Sequence, residues 1–210
     1  MSPGPLAARR RWLLRALVAL IAVSSTYLVV QVILDEPEIA LEMGGTYEDM
    51  RTRSTARFSP LIRGHIWFGI PKTDARLRFI DGQFGFVTPP ARFFTVGFND
   101  NIVDGIRMSP QVEPLLLDDA LKVVLDLQDQ WRRSGWIAFS LKNDPPIADT
   151  PEWRERLRDE NKGGRTFWQA GEKYQAMLIM NRFEDNKRPD EERYMITLAI
   201  GTPWLPTHVE

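Results

Sequence analysis

Residues 12–34 form an almost unbroken apolar run, and residues 16–34 carry no formal charge. At about 1.5 Å per residue the uncharged part makes a helix of roughly 28 Å, close to the hydrocarbon thickness of a bilayer. Its flanks differ in sign. Arg9, Arg10, Arg11 and Arg15 lead into it, while Asp35, Glu36, Glu38 and Glu42 follow; by the positive-inside bias this order keeps the N-terminus in the cytoplasm and sends the rest of the chain across. The pattern predicts a basic cytoplasmic tail over residues 1–11 and a transmembrane anchor in inner-membrane lipid over residues 12–34. In a bacterium the remainder is then periplasmic. A cleaved secretory signal shares the basic and apolar regions and the small residues Ala22, Val23 and Ser24, but residues 27–34 would then be left as a greasy N-terminus. Ser24, Ser25 and Thr26 are small enough for a helix–helix contact, yet isolated hydroxyls ordinarily bond back within their own helix.

Residues 35–57 have neither a helical nor a strand period and read as a solvated linker that spaces the domain from the membrane, contact of Arg51, Arg53 and Arg57 with lipid head groups being the less favoured alternative. Residues 58–210 suffice for one domain with its own core. Charge sets limits on function: 27 Lys+Arg against 28 Asp+Glu leave a net charge of -1, so no global attraction to nucleic acid is expected. The absence of cysteine excludes disulfides, thiol nucleophiles and lipidation at an N-terminal cysteine.

The expected domain is α+β, a mostly antiparallel sheet packed by one long and one short helix. Leu77 and Phe79 alternate with arginines, Asp81-Gly82 supplies a turn, and Phe84 and Phe86 resume the alternation, which predicts a hairpin. A second hairpin follows, with Phe94, Val96 and Phe98 on one face and Asn99-Asp100-Asn101 at the turn. The two together are expected to build a single sheet. Apolar residues at helical spacing over residues 116–131, with Asp118 and Asp119 at the start and Arg132, Arg133 and Gly135 at the end, predict the long helix, its aspartates serving as caps. Thr150 before Pro151 begins the short one. Tyr174, Ala176, Leu178 and Met180 then pair with Tyr194, Ile196, Leu198 and Ile200 in a long hairpin whose faces are both apolar enough to be covered.

Catalytic patterns are lacking. The strand–turn–helix motifs of acyl transfer, phosphate binding and metalloproteolysis are absent, so catalytic residues are not assigned and neither a cofactor nor a metal is expected. Imidazole is limited to His65, which reads as a half-buried strand residue, and His208 near the C-terminus. The leading expectation is a single-pass inner-membrane protein that binds a protein partner, as an accessory of an envelope or secretion machine or as an immunity protein against a periplasmic toxin. The acids Glu184, Asp185, Asp190, Glu191 and Glu192 at the tip of the last hairpin are the candidate partner contact. The alternative is a cell-envelope hydrolase with a carboxylate pair, which leaves no sequence spacing because its members meet only in the fold.

Overall fold

Period-two alternation dominates the chain beyond residue 60, and strands are the result. The structure, a computed structural model, describes residues 36–139 and 142–206; the expected cytoplasmic tail, the expected anchor and His208 lie outside them. All described elements belong to the unit Pro37–Glu210. Their order is β1 (Glu38–Leu41), α1 (Tyr47–Arg53), β2 (Ile66–Gly69), β3 (Arg76–Phe79), β4 (Phe86–Val87), β5 (Phe94–Asn99), β6 (Ile102–Met108), α2 (Leu117–Arg133), β7 (Ile137–Phe139), α3 (Pro151–Arg158), β8 (Gly164–Ala170), β9 (Tyr174–Phe183) and β10 (Arg193–Gly201). The class is α+β with a mostly antiparallel arrangement.

The main sheet has seven antiparallel strands in the order β2-β5-β6-β10-β9-β8-β7. The long C-terminal hairpin supplies its middle: Leu198 stands opposite Leu178, and Ile200 opposite Ala176. The β5–β6 hairpin forms as its sequence dictates, with Asp100 in the left-handed region at φ 55°. Beneath one face lies α2, which buries Leu121, Val124, Leu127 and Trp131 completely or nearly so. Burying side chains of this size stabilises the fold by about 1.5–3 kcal/mol apiece.

Several expectations are corrected. Residues 35–57 are not a linker: Ile39, Ala40 and Leu41 of β1 are wholly buried, and α1 adds Tyr47 and Met50 to the core. Four apolar or acidic residues show too short a pattern to betray a strand, and β1 is stabilised from afar by parallel pairing with β3. The β3–β4 hairpin does not join the main sheet; with β1 it makes a separate three-stranded sheet. Its turn rests on Asp81, whose carboxylate accepts the Gln83 and Phe84 N–H groups, rather than on a left-handed Gly82. Finally, neither Asp118 nor Asp119 caps α2. The N-cap position, Leu116, makes no side-chain capping bond; Asp118 instead pairs with Arg154 of α3 at 2.7 Å and Asp119 with Lys122 at 2.9 Å. The helices number three among the described residues rather than two.

Glutamine amides tie these layers together. Gln130 of α2 donates to the Val87 carbonyl and accepts the Val87 N–H, so the edge of β4 is closed by a side chain. Gln128 does the same for Ile147, and Gln111 for Tyr194 and Ile196. An amide carries both a donor and an acceptor, which is why it can stand in for a strand neighbour.

Candidate functional site

Alternation along the strands sends one set of side chains into the core and the other set to the opposite face. Trp67, Phe94, Val96, Phe98, Ile106, Ile196, Leu198 and Ile200 are buried on the inner side. All three helices pack there: α1 places Tyr47 against Trp67 and Phe98, α2 places Trp131 against Trp168, and Trp153 of α3 sits beside Gly164. Among the described residues no helix covers the outer face. That face nevertheless carries Ile66, Phe68, Ile137, Phe139, Phe167, Met177, Ile179 and Met195 in its registers. An antiparallel sheet open to water on one side normally turns polar residues to it, so the composition of this face marks it as the candidate site.

Two depressions lie on it. The smaller, about 280 Å³, is floored by Gly97 and Gly105, which stand opposite each other across β5 and β6, and is walled by Phe68, Thr95, Asp104 and Arg107. Gly201 of β10 continues the glycine row, in register with Gly105. The larger, about 490 Å³, opens where the β9–β10 tip meets the ends of β5 and β6. Phe93 and Phe183, 64% and 43% exposed, flank it together with Val112, Pro114 and Met195. Its charges form a chain. Arg188 reaches Glu113 at 2.7 Å and Asp185 at 3.3 Å, Arg92 reaches Asp74 at 3.3 Å, and Lys187 has no ion pair among the described residues. A mainly apolar hollow with a few fixed charges at its rim is the usual form of a binding site.

The five acids at the hairpin tip have different fates. Asp185 is buried and accepts the Lys187 N–H as well as the Arg188 guanidinium, so it shapes the turn. Glu191 pairs with Arg193, while Glu192 holds the Tyr194 hydroxyl and lies 3.6 Å from Arg158. Only Glu184 and Asp190 of the five project without an ion pair among the described residues. The tip is therefore less acidic in effect than in sequence. What sequence reasoning missed is Phe93 and Phe183, each at a strand end in a different hairpin; the sole signal was a large aromatic at an outward register position.

Carboxylate chemistry finds little support in the larger cleft. Glu113 and Asp185 both meet Arg188, and the hydrogen bond and charge of Arg188 hold the Glu113 carboxyl below its usual range. A general acid needs the opposite shift. His65 is exposed and precedes β2, contrary to the half-buried strand position expected of it. No group of three or more potential ligands is arranged to hold a metal among the described residues.

The most perturbed carboxylate lies elsewhere, under the β3–β4 turn. Burial alone would raise Asp81, but N–H bonds from Phe84 and Gln83, the Tyr174 hydroxyl and Lys173 outweigh it and bring the carboxyl to about 2. Burial and the same bond push Tyr174 up to about 12. These groups join the small sheet to the start of β9 and form a structural cluster. Comparison of the chain with protein-family models, with curated proteins and with solved structures finds no match.

Proposed function

We propose that this is a bacterial inner-membrane protein, anchored through residues 12–34 with its N-terminus cytoplasmic, whose periplasmic domain binds a protein partner on the open face of the main sheet. The reading rests on one observation above the rest: an apolar cleft flanked by exposed Phe93 and Phe183, on a sheet face that no described helix covers. Aromatic anchors surrounded by charge are what protein interfaces concentrate. Among the described residues no helix is long and apolar enough to cross a membrane, so the anchor is inferred from the charge asymmetry around the apolar run. An envelope or secretion-machine accessory, or an immunity protein against a periplasmic toxin, fits this arrangement.

Capture of partners by the full-length, detergent-extracted chain, followed by mass spectrometry, tests it. Phe93→Ser and Phe183→Ser are expected to weaken capture of a reproducible partner at least tenfold, the scale of an interfacial aromatic. Reversing two exposed acids of the tip, Glu184→Lys and Asp190→Lys, is expected to cost less because they do not line the cleft. If capture is unchanged by the phenylalanine changes, the cleft is not the contact.

A further inference from the structure

We propose that the β2 edge of the open face docks on the lipid surface itself, with an apolar ridge dipping into the bilayer interface and cations beside it meeting anionic head groups. The ridge consists of Ile66, Phe68 and Ile70, which alternate with buried or inward residues and are 74%, 73% and 57% exposed. Three large apolar side chains in a row along and just past the outermost strand of a sheet are what such edges ordinarily avoid. Their neighbours carry positive charge. Phe58 bridges Pro71, and the adjoining Arg57 and Lys72, joined by the bond from the Lys72 N–H to the Arg57 carbonyl, stand just past Ile70 at the end of the ridge. Arg107 lies two strands away on that face, opposite Thr95. Arg57, Lys72 and Arg107 are all exposed and form no ion pair among the described residues, whereas Arg51 and Arg53 of the same region are spent on Glu48 and Glu42. Greasy side chains framed by unpaired cations are the signature of an interfacial membrane contact.

The length of chain available selects a bilayer over a protein as the occupant. This step rests on the anchor reading given above. Because β1 begins at Glu38, only Asp35, Glu36 and Pro37 separate it from the end of the apolar run at Leu34. Four residue steps of extended chain span at most about 14 Å. A domain on so short a tether cannot stand away from the surface. The point where the tether enters is fixed as well: the Glu38 carbonyl accepts the Thr55 and Ala56 N–H groups, and the next residue, Arg57, accepts the Lys72 N–H. The corner that carries the ridge is therefore the corner at which the chain arrives.

The cysteine-free sequence permits a clean test. Single cysteines placed by Val23→Cys, Phe68→Cys and Lys122→Cys in the full-length chain would carry a fluorophore in vesicles of phosphatidylethanolamine with a minority of phosphatidylglycerol, part of the lipid brominated high on the acyl chain in one set of vesicles and near its end in another. The expected result is strong quenching at position 23, clear quenching at position 68 and none at position 122, which lies on the exposed side of α2. Adding Arg57→Glu and Lys72→Glu is expected to lower the docked-to-undocked ratio at least tenfold, since each interfacial cation is worth about fivefold. Quenching at 23 with position 68 as wet as 122 overturns the docking and leaves the anchor standing. Protection of 68 from aqueous iodide without lipid quenching shows a protein over the ridge and also overturns it. Absence of quenching at 23 removes the anchor reading, and the docking argument with it.

Discussion

The two faces of the seven-stranded sheet are made by the same strands yet have different physical tasks. On β10 the residues Ile196, Leu198 and Ile200 are sealed beneath α2, while Met195, Thr197 and Ala199, one step away along the same chain, remain partly open. Strand propensity does not separate the two sets, because both are rich in residues that favour a pleated surface. The helices separate them by packing on one side only. Apolar character on the inner face is thus explained by the core, and apolar character on the outer face calls for an occupant. The cost of a substitution should therefore fall from the inner face to the outer.

Leu198→Ala removes a fully buried side chain from the middle strand, directly opposite Leu178 and Met108. The expected loss is about 2–5 kcal/mol, the range for large-to-small changes in a packed core, read from the urea midpoint of the full chain. A loss below about 1 kcal/mol would mean that the inner face is not the principal core. That result would erase the distinction between faces.

The Asp81 cluster tests the inner side by pH. Its side chain is 6% exposed, and its carboxyl at about 2 lies below the ordinary aspartate value. A depressed folded-state pKa gives stability that is present above about pH 4 and is lost as pH falls toward 2. From the size of the shift, the contribution is about 2 kcal/mol. Asp81→Asn is expected to lose a comparable amount at neutral pH and to flatten the acid limb of the stability curve over that window. An unchanged acid limb would show that the Asp81 carboxyl titrates alike in the folded and unfolded chain, so that the cluster adds no acid-dependent stability.

The pattern of success along the sequence follows the range of the interactions. The β5–β6 hairpin was legible because Phe94, Val96 and Phe98, a tight Asn99-Asp100-Asn101 turn and a returning strand lie next to one another. Thr150 and Pro151 were legible for the same reason, since a helix start is local chemistry, and Thr150 does accept the Trp153 N–H. The pairing of β1 with β3 was not: Glu38 and Arg76 are 38 residues apart, and only the fold brings them within 2.9 Å. β8 escaped notice because Gly164 and Gln169 interrupt its apolar positions. The tip acids show the same limit at the site. Their density was visible in sequence, but their neutralisation by Arg158, Arg188 and Arg193 was not, because Arg158 belongs to a different element. Gln111 reaches Ile196 across 85 residues, and no local pattern announces such a clamp.

The smallest expected effect sharpens the comparison most. Phe68 belongs to the same sheet as Leu198 and is a larger side chain, so any account based on apolar content alone makes Phe68→Ser the more damaging change. Exposure argues the reverse. Phe68 already faces solvent in the isolated domain, apart from its contact over Gly97, and surface substitutions of this kind usually stay within about 0.5 kcal/mol. We expect the urea midpoint of Phe68→Ser in detergent to match that of the parent chain, while its interfacial contact in vesicles is lost. A stability loss near that of Leu198→Ala would show that Phe68 is a core residue after all, and the outer face would need no occupant. Equal midpoints with altered vesicle contact would separate folding from binding at a single side chain, because a residue kept greasy without benefit to the fold must be kept for what it touches.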